Sequence, residues 1–451
     1  MQDMTQGPIP RHLVRMAAPI AIGMLFQTAY YLIDLYFVAR LGDAAIAGVG
    51  AAGNMQFLVM ALTQVLGVGT MALIAHAVGR KDLADANLIF NQSLLMAALC
   101  AAATLLGGYV LGAAYMRNLG ADAATAAAGL TYLYWFLPAM ALQFALVAMG
   151  SALRGTGIAK PTMIVQMITV LLNAVLAPVL IAGWLTGRPM GVAGAGLASS
   201  ISVAVGVLML WWYFQRLEKT VAFDADMFHA RPVVWRRILA IGLPPGGEFA
   251  LMFVYIGVVY WVIRDFGASA QAGFGIGMRV MQAIFLPAMA VAFATAPVAG
   301  QNFGAGLHAR VRETFVAAAW IGSVPMLVLT LLCQWRPEWL IHGFTRDPAV
   351  VAVGADYLRI IAWNFVASGL IFTASGMFQA VGNTLPALLS SATRLLTFAV
   401  PALWLSQRGG FTLRDLWHLS VATVTLQMII SLVMLRLELR RPRPMVAATG
   451  L

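Results

Sequence analysis

The chain has 451 residues, of which 61% are hydrophobic and only 10% charged, against roughly a quarter charged in an ordinary soluble domain. That composition excludes a soluble globular protein, and the long apolar runs match the ~20 residues that cross a bilayer core. The net charge of +11 does not imply nucleic acid, because the basic residues are dispersed through the segments between apolar runs.

Twelve such runs follow in chain order, at 14–39, 47–78, 88–113, 126–152, 161–184, 191–215, 238–263, 270–299, 314–335, 350–378, 385–406 and 415–436. Their length, without period-two alternation, predicts α-helical spans and not the strands of a membrane barrel. The first run is too long for a secretory signal and lacks a small-residue cleavage site, so it is read as a retained span. Most of the 28 Lys and Arg fall on the N-terminal side of the membrane, including Arg216, Lys219, Arg231, Arg236, Arg237, Arg436, Arg440, Arg441 and Arg443. The positive-inside rule then puts both termini in the cytoplasm. Arg40, Asp43, Arg264 and Asp265 read as interfacial anchors. Cys100 and Cys333 sit in apolar runs without a partner at metal spacing and read as small core residues.

A carboxylate inside a span is costly to insert and has to face protein or a water-filled cavity. Span one carries Asp34, about 9 Å from its outer end at the helical rise, with Gln27 and Tyr31 on the same face. Asp34 is either a structural residue held by a neighbouring hydroxyl or amide, or a carboxylate that gains and loses a proton during a transport cycle. Span seven carries Glu248 directly after Pro244-Pro245-Gly246-Gly247, a run expected to kink or interrupt the helix. Span eight carries Arg279 at a depth that suits a salt bridge to Glu248, either permanent or released on protonation. Gln301-Asn302 at the end of that span is expected to cap it and its turn. In span ten, Asp356 and Arg359 are three apart and expected to pair along their own helix. Gln27, Tyr31, Arg279 and Gln282 are the candidates for cavity lining or gating.

An offset of 225 maps the first half of the chain onto the second. Pro19 falls on Pro244, Gly42 on Gly267, Gly48 on Gly273, Gly129 on Gly354, Tyr132 on Tyr357, Gly157 on Gly382 and Pro161 on Pro386. Each copy holds six spans, so the repeat is parallel, with both copies entering the membrane in the same direction. The expected organisation is a six-helix lobe over 1–215, a cytoplasmic linker over 216–236, a second six-helix lobe over 237–436 and a basic cytoplasmic tail over 437–451. The fold class is an all-α polytopic membrane protein of twelve transmembrane helices in two pseudo-symmetric lobes. The charges break the symmetry, since Asp34 stands opposite Val259 and Glu248 opposite Gly23.

Four stretches carry a family likeness. They are Pro19 through Gln27 to Asp34 with Leu41-Gly42-Asp43-Ala44-Ala45; Gly157 to Pro161 leading into Asn173; Gly242-Leu243-Pro244 with Glu248; and Pro297-Val298-Ala299-Gly300-Gln301-Asn302-Phe303-Gly304-Ala305. In these the chain resembles the multidrug and toxic compound extrusion (MATE) transporters. The resemblance implies a monomeric antiporter of the bacterial inner membrane. It would export small, bulky, amphipathic and mostly cationic compounds by alternating access, without a cofactor, in exchange for inward protons or sodium. It also implies cation-coupling roles for Asp34, Asn173 and Glu248, and for Asp356, because one family branch has an acidic residue in span ten. One position departs from the pattern. Where the branch with a first-lobe cation site has an Asp four residues after the span-five Asn, this chain has Ala177. The loss of an anionic ligand favours H+ over Na+ as the coupling ion, with Na+ the alternative.

A lipid-linked oligosaccharide flippase of related fold is the rival, kept open by the intramembrane Arg residues of the second lobe. A channel would need an open pore and a filter pattern, neither of which the sequence suggests. Enzymatic activity is not expected, since there is no phosphate-binding Gly-Lys-Ser/Thr loop and the six His lack paired ligand spacing.

Overall fold

A computed structural model describes residues 2–441 except 121 and 219, and of Tyr31 and Leu35 the backbone only. Residues 442–451 of the expected basic tail, with Arg443, lie outside the described residues, as do Lys219 and the Tyr31 side chain. The described chain is all helical, without a strand. Its helices are α1 (Ile9–Ala39), α2 (Asp43–Gly79), α3 (Leu83–Leu119), α4 (Ala123–Gly155), α5 (Lys160–Ile181), α6 (Val192–Arg216), α7 (Pro232–Ile263), α8 (Ala268–Gly304), α9 (His308–Trp335), α10 (Pro337–His342), α11 (Pro348–Ile361), α12 (Phe365–Ala380), α13 (Leu385–Ser406) and α14 (Leu413–Arg440).

Twelve segments are long and apolar enough to cross a membrane. The tenth, Pro348–Ala380, joins α11 and α12 through a short 3-10 turn at Ala362–Asn364. Most helices run past their apolar runs at one end or both, while α13 coincides with its run and α5 ends three residues short of it. Some of their starts are marked by short polar side chains that cap the first free amides. Asp82 accepts from the Asp85 amide, Asp122 from the Thr125 amide, and Thr412 forms a reciprocal capping box with Asp415. Arg436 and Arg440 belong to α14 itself.

The chain divides into two compact units. One holds Met1–Asp3 and Ala18–Leu243, the other Met4–Ala17 and Pro244–Leu451. The division in α7 falls directly before Pro244, and that in α1 between Ala17 and Ala18, one residue ahead of the repeat-matched Pro19. The first turns of α7 accordingly pack in the first core, where Val234, Ile238 and Ile241 join the α2, α3 and α4 side chains. The helix is continuous through Pro244-Pro245 and not interrupted there, because two missing donors leave the flanking turns with their own hydrogen bonds.

In the first unit α2 and α4 are the most buried helices, and in the second α8 with α11–α12. The reason is visible in the matched glycines. A Cβ on Gly48 would lie 2.6 Å from the Gly129 nitrogen. A Cβ on Gly273 would lie 3.1 Å from the Gly354 nitrogen and 2.7 Å from the Val353 Cβ. Each pair lets two helices cross at backbone contact, so these glycines are retained where side chains differ freely.

The segment between α6 and α7 is pinned to α3 by two fully buried amides. Asn91 donates to the Ala222 carbonyl at 2.9 Å and accepts from the Asp224 amide at 3.0 Å. Gln92 donates to the Met227 and His229 carbonyls, and accepts from the Arg231 amide and the Trp235 indole at 3.0 and 2.8 Å. Asp85, about two turns earlier on α3, takes Arg80 at 2.8 Å and Arg237 at 3.3 Å.

In the second unit the end of α8 holds the segment before α1. Gln301 accepts from the Met4 amide, and Asn302 donates to the Met4 and Val298 carbonyls while accepting from Arg310 Nε. The Gln-Asn pair therefore anchors a distant stretch of chain, beyond the local cap expected of it.

Candidate functional site

In the first unit the polar groups gather where α1, α5 and α6 meet. Gln166 on α5 donates to Gln27 on α1. Tyr30, one residue before Tyr31, donates its hydroxyl to Ser199 on α6, which also receives Asn173 Nδ2 at 3.5 Å. Asp34 follows Tyr30 by one turn and shares its face. Successive spans alternate in direction, so α1 and α5 run the same way. Seven residues past Gln27 and Gln166 they bring Asp34 and Asn173 to one level, about 10 Å beyond that contact.

Two oxygens at this level are left open. Asp34 Oδ1 and Asn173 Oδ1 are buried and have no hydrogen-bond partner among the described residues. Ala177, one turn beyond Asn173, is fully buried and brings no oxygen of its own. The arrangement presents one carboxylate and one amide oxygen, with hydroxyl groups one turn below.

In the second unit the equivalent contact joins α7, α13 and α14. Ser391, which the repeat places on Gln166, donates its hydroxyl to Glu248 and receives Gln427 Nε2 at 3.3 Å. The other Glu248 oxygen, Oε1, is buried without a partner among the described residues. Two turns along α7, Tyr255 pairs its hydroxyl with Ser420 at 3.0 Å and carries the Arg394 guanidinium over its ring, 4.6 Å from the centroid.

The expected Glu248 to Arg279 bridge is not formed among the described residues. Glu248 turns toward α13, where Gly247 also meets Leu388, and Arg279 lies exposed on α8 with Gln282 one turn further. Asp356 and Arg359 do not pair either. Asp356 takes Arg414 in a two-pronged contact at 2.8 and 2.9 Å, and Arg359 takes Glu338 at 3.0 Å. The planar guanidinium of a neighbouring helix satisfies both carboxylate oxygens, which a residue three positions along the same helix does less well.

Of the contributing residues, Tyr30, Ser199, Tyr255, Ser391 and Gln427 escape a reading of the sequence alone. The matched pair Tyr30 and Tyr255 is the available signal, since a tyrosine at the same place in both copies marks a shared contact. Among the described residues no group of His, Cys, Asp and Glu could hold a metal ion.

The MatE family model matches the chain twice, over residues 19–179 and 244–405, starting both times at the repeat-matched prolines. The chain belongs to the MatE family. It is therefore a transporter and not an enzyme. It is 27% identical to the probable multidrug resistance protein YpnP of Bacillus subtilis over 90% of this chain and 92% of that protein. It is 22% identical to the FAD transporter of Shewanella oneidensis over 88% of this chain and 87% of that protein. A solved MOP-superfamily transporter of Pyrococcus furiosus, described for a binding pocket of reversed polarity, shares the fold with a TM-score of 0.89 at 24% identity, over 97% of both chains.

Proposed function

We propose that this MatE transporter is a proton-coupled antiporter of the bacterial inner membrane, exporting bulky amphipathic organic compounds, cations among them, by alternating access. The observation that carries the reading is the open pair of oxygens on Asp34 and Asn173. Two buried acceptors at one level of α1 and α5, each without a donor among the described residues, are completed by a proton or a cation. A sodium ion asks for several hard oxygen ligands, and with Ala177 at the third position one carboxylate suits a proton better. Glu248, half-satisfied by Ser391, is the second proton carrier in this reading. Asp356, neutralised by Arg414, has a structural role, and both termini lie in the cytoplasm. The relatives named for multidrug resistance support export of varied organic compounds.

Ethidium uptake into everted vesicles, with either a proton or a sodium gradient imposed, tests the coupling. Uptake that stops when only the proton gradient is collapsed is the expected result; uptake that follows sodium alone refutes it. In the same assay Asp34→Asn is expected to abolish proton-driven uptake at normal expression. A lipid-linked oligosaccharide flippase is the second reading, favoured by the mid-span arginines Arg279 and Arg394, which form no ion pair among the described residues.

A further inference from the structure

Arg394 sits near the middle of the 22-residue α13, at a depth where a cation is tolerated only when something answers its charge. Among the described residues it makes no ion pair, and its Nε is buried with no hydrogen-bond partner. The carboxylates that form ion pairs in this unit are committed elsewhere: Asp356 to Arg414, Glu338 to Arg359, Glu438 to Arg441 and Asp265 to Arg264. Glu248 is engaged by Ser391 and lies about 10 Å down α7 from Tyr255. What Arg394 does have is an aromatic bed. Its guanidinium lies over Tyr255, whose ring packs on Phe398 at 4.7 Å. Nearby in the same core, Tyr357 sets its hydroxyl on the Met281 sulfur at 2.9 Å and its ring on Phe274, which in turn meets Tyr260.

A guanidinium stacked on an aromatic face keeps its in-plane N–H groups free, and these match the two oxygens of a carboxylate or phosphate. Tyr357 itself is buried against Phe274 and Trp417, and the part-exposed Tyr255 and Met281 offer adaptable contact to a flat ring system. We propose that Arg394, laid over Tyr255 in the second unit, is an oxyanion subsite that takes the carboxylate or phosphate of an aromatic amphipathic solute. The inference rests on the transport reading only in taking that solute as cargo. It extends the range of compounds from cations to zwitterions and anions.

Rhodamine B, which carries a free carboxylate, and its methyl ester form a matched pair for the test. Their equilibrium binding to the full-length protein in phosphatidylcholine nanodiscs is read by fluorescence anisotropy, with no ion gradient, so the result is independent of which ion drives transport. The wild type is expected to bind the free carboxylate at least about fivefold more tightly than the ester. Arg394→Gln is expected to weaken carboxylate binding about tenfold, the worth of one charged hydrogen bond, while ester binding stays within about twofold. Arg394→Lys is expected to keep part of the preference. A wild type without preference overturns the proposal, as does an Arg394→Gln protein that keeps the preference or loses both dyes equally. Replacing half the lipid by phosphatidylglycerol distinguishes the source of the oxyanion. The preference is expected to persist there, and its disappearance would give the site to lipid head groups and overturn the proposal.

Discussion

Tyr30 and Tyr255 hold the same place in the two copies, and each pairs its hydroxyl with a serine on the sixth helix of its own unit, Ser199 on α6 and Ser420 on α14. The contact survives duplication because it ties the first helix of a copy to its last. Around it the chemistry diverges. The fifth-helix residue that the repeat places on Arg394 is Thr169, so the first unit gathers acceptors and the second gathers a cation.

Tyr255 has two separable parts, and substitution tells them apart. Tyr255→Phe removes the hydroxyl from Ser420 and keeps the ring under Arg394, at an expected cost of about 1 kcal/mol. Tyr255→Ala also removes the cation–π contact, worth a further ~0.5–2 kcal/mol, and leaves a cavity against Phe398. Thermal unfolding in detergent, followed by tryptophan fluorescence, should order the proteins wild type, Phe, Ala. Equal melting of the two variants would contradict the separation.

The glycine crossings make a sharper prediction. Gly48→Ala puts a Cβ 2.6 Å from the Gly129 nitrogen, and the atom it meets is backbone, which cannot rotate away. Forcing α2 and α4 apart is expected to cost ~1–3 kcal/mol, the usual range for an overpacked core. Gly50→Ala, on the same helix with open space around its Cβ, should stabilise slightly or not at all. The comparison holds helix propensity constant, so a similar melting shift in both variants would rule out the crossing as the cause.

Asp122 links pH to stability at the loop before α4. The Thr125 amide and hydroxyl hold its carboxyl below the ordinary carboxylate value. A carboxyl depressed on folding contributes its full stability above the unfolded value and loses it as pH falls through the folded one. The melting difference between wild type and Asp122→Ala should therefore stay constant from about pH 5 to 7 and close below about pH 4. A gap that is unchanged at acid pH would show that the cap does not act through its charge.

The twelve spans, the repeat and the positions of Asp34 and Glu248 are legible in sequence because each is a property of one segment: a length, an offset, a charge in an apolar run. The partners are not. Asp356 pairs with a residue 58 positions away, and Glu248 turns to α13 and not to α8, since the rotation of one helix against another is set by packing. Serine and tyrosine hydroxyls such as Ser391 and Tyr30 cost little in an apolar run, so nothing in the sequence singles them out. Arg394 stands out as a mid-span charge, but the missing counter-ion that makes it informative can be seen only once its neighbours are known.

Gln92 shows what such a hidden contact is worth. Its side chain is fully buried in α3 and satisfies two carbonyls, one amide and the Trp235 indole in the segment leading into α7. Gln92→Leu keeps the volume and strands those four groups, each at a cost of ~1–3 kcal/mol unless water reaches it. The least costly response is for the segment to lift and hydrate, because its own hydrogen bonds are few and local. Limited digestion with proteinase K should then cut between residues 217 and 231 several times faster in Gln92→Leu than in the wild type, while α3 itself stays protected. Unchanged cleavage with a lower melting temperature would instead mean that the helices, and not the connecting segment, absorb the loss.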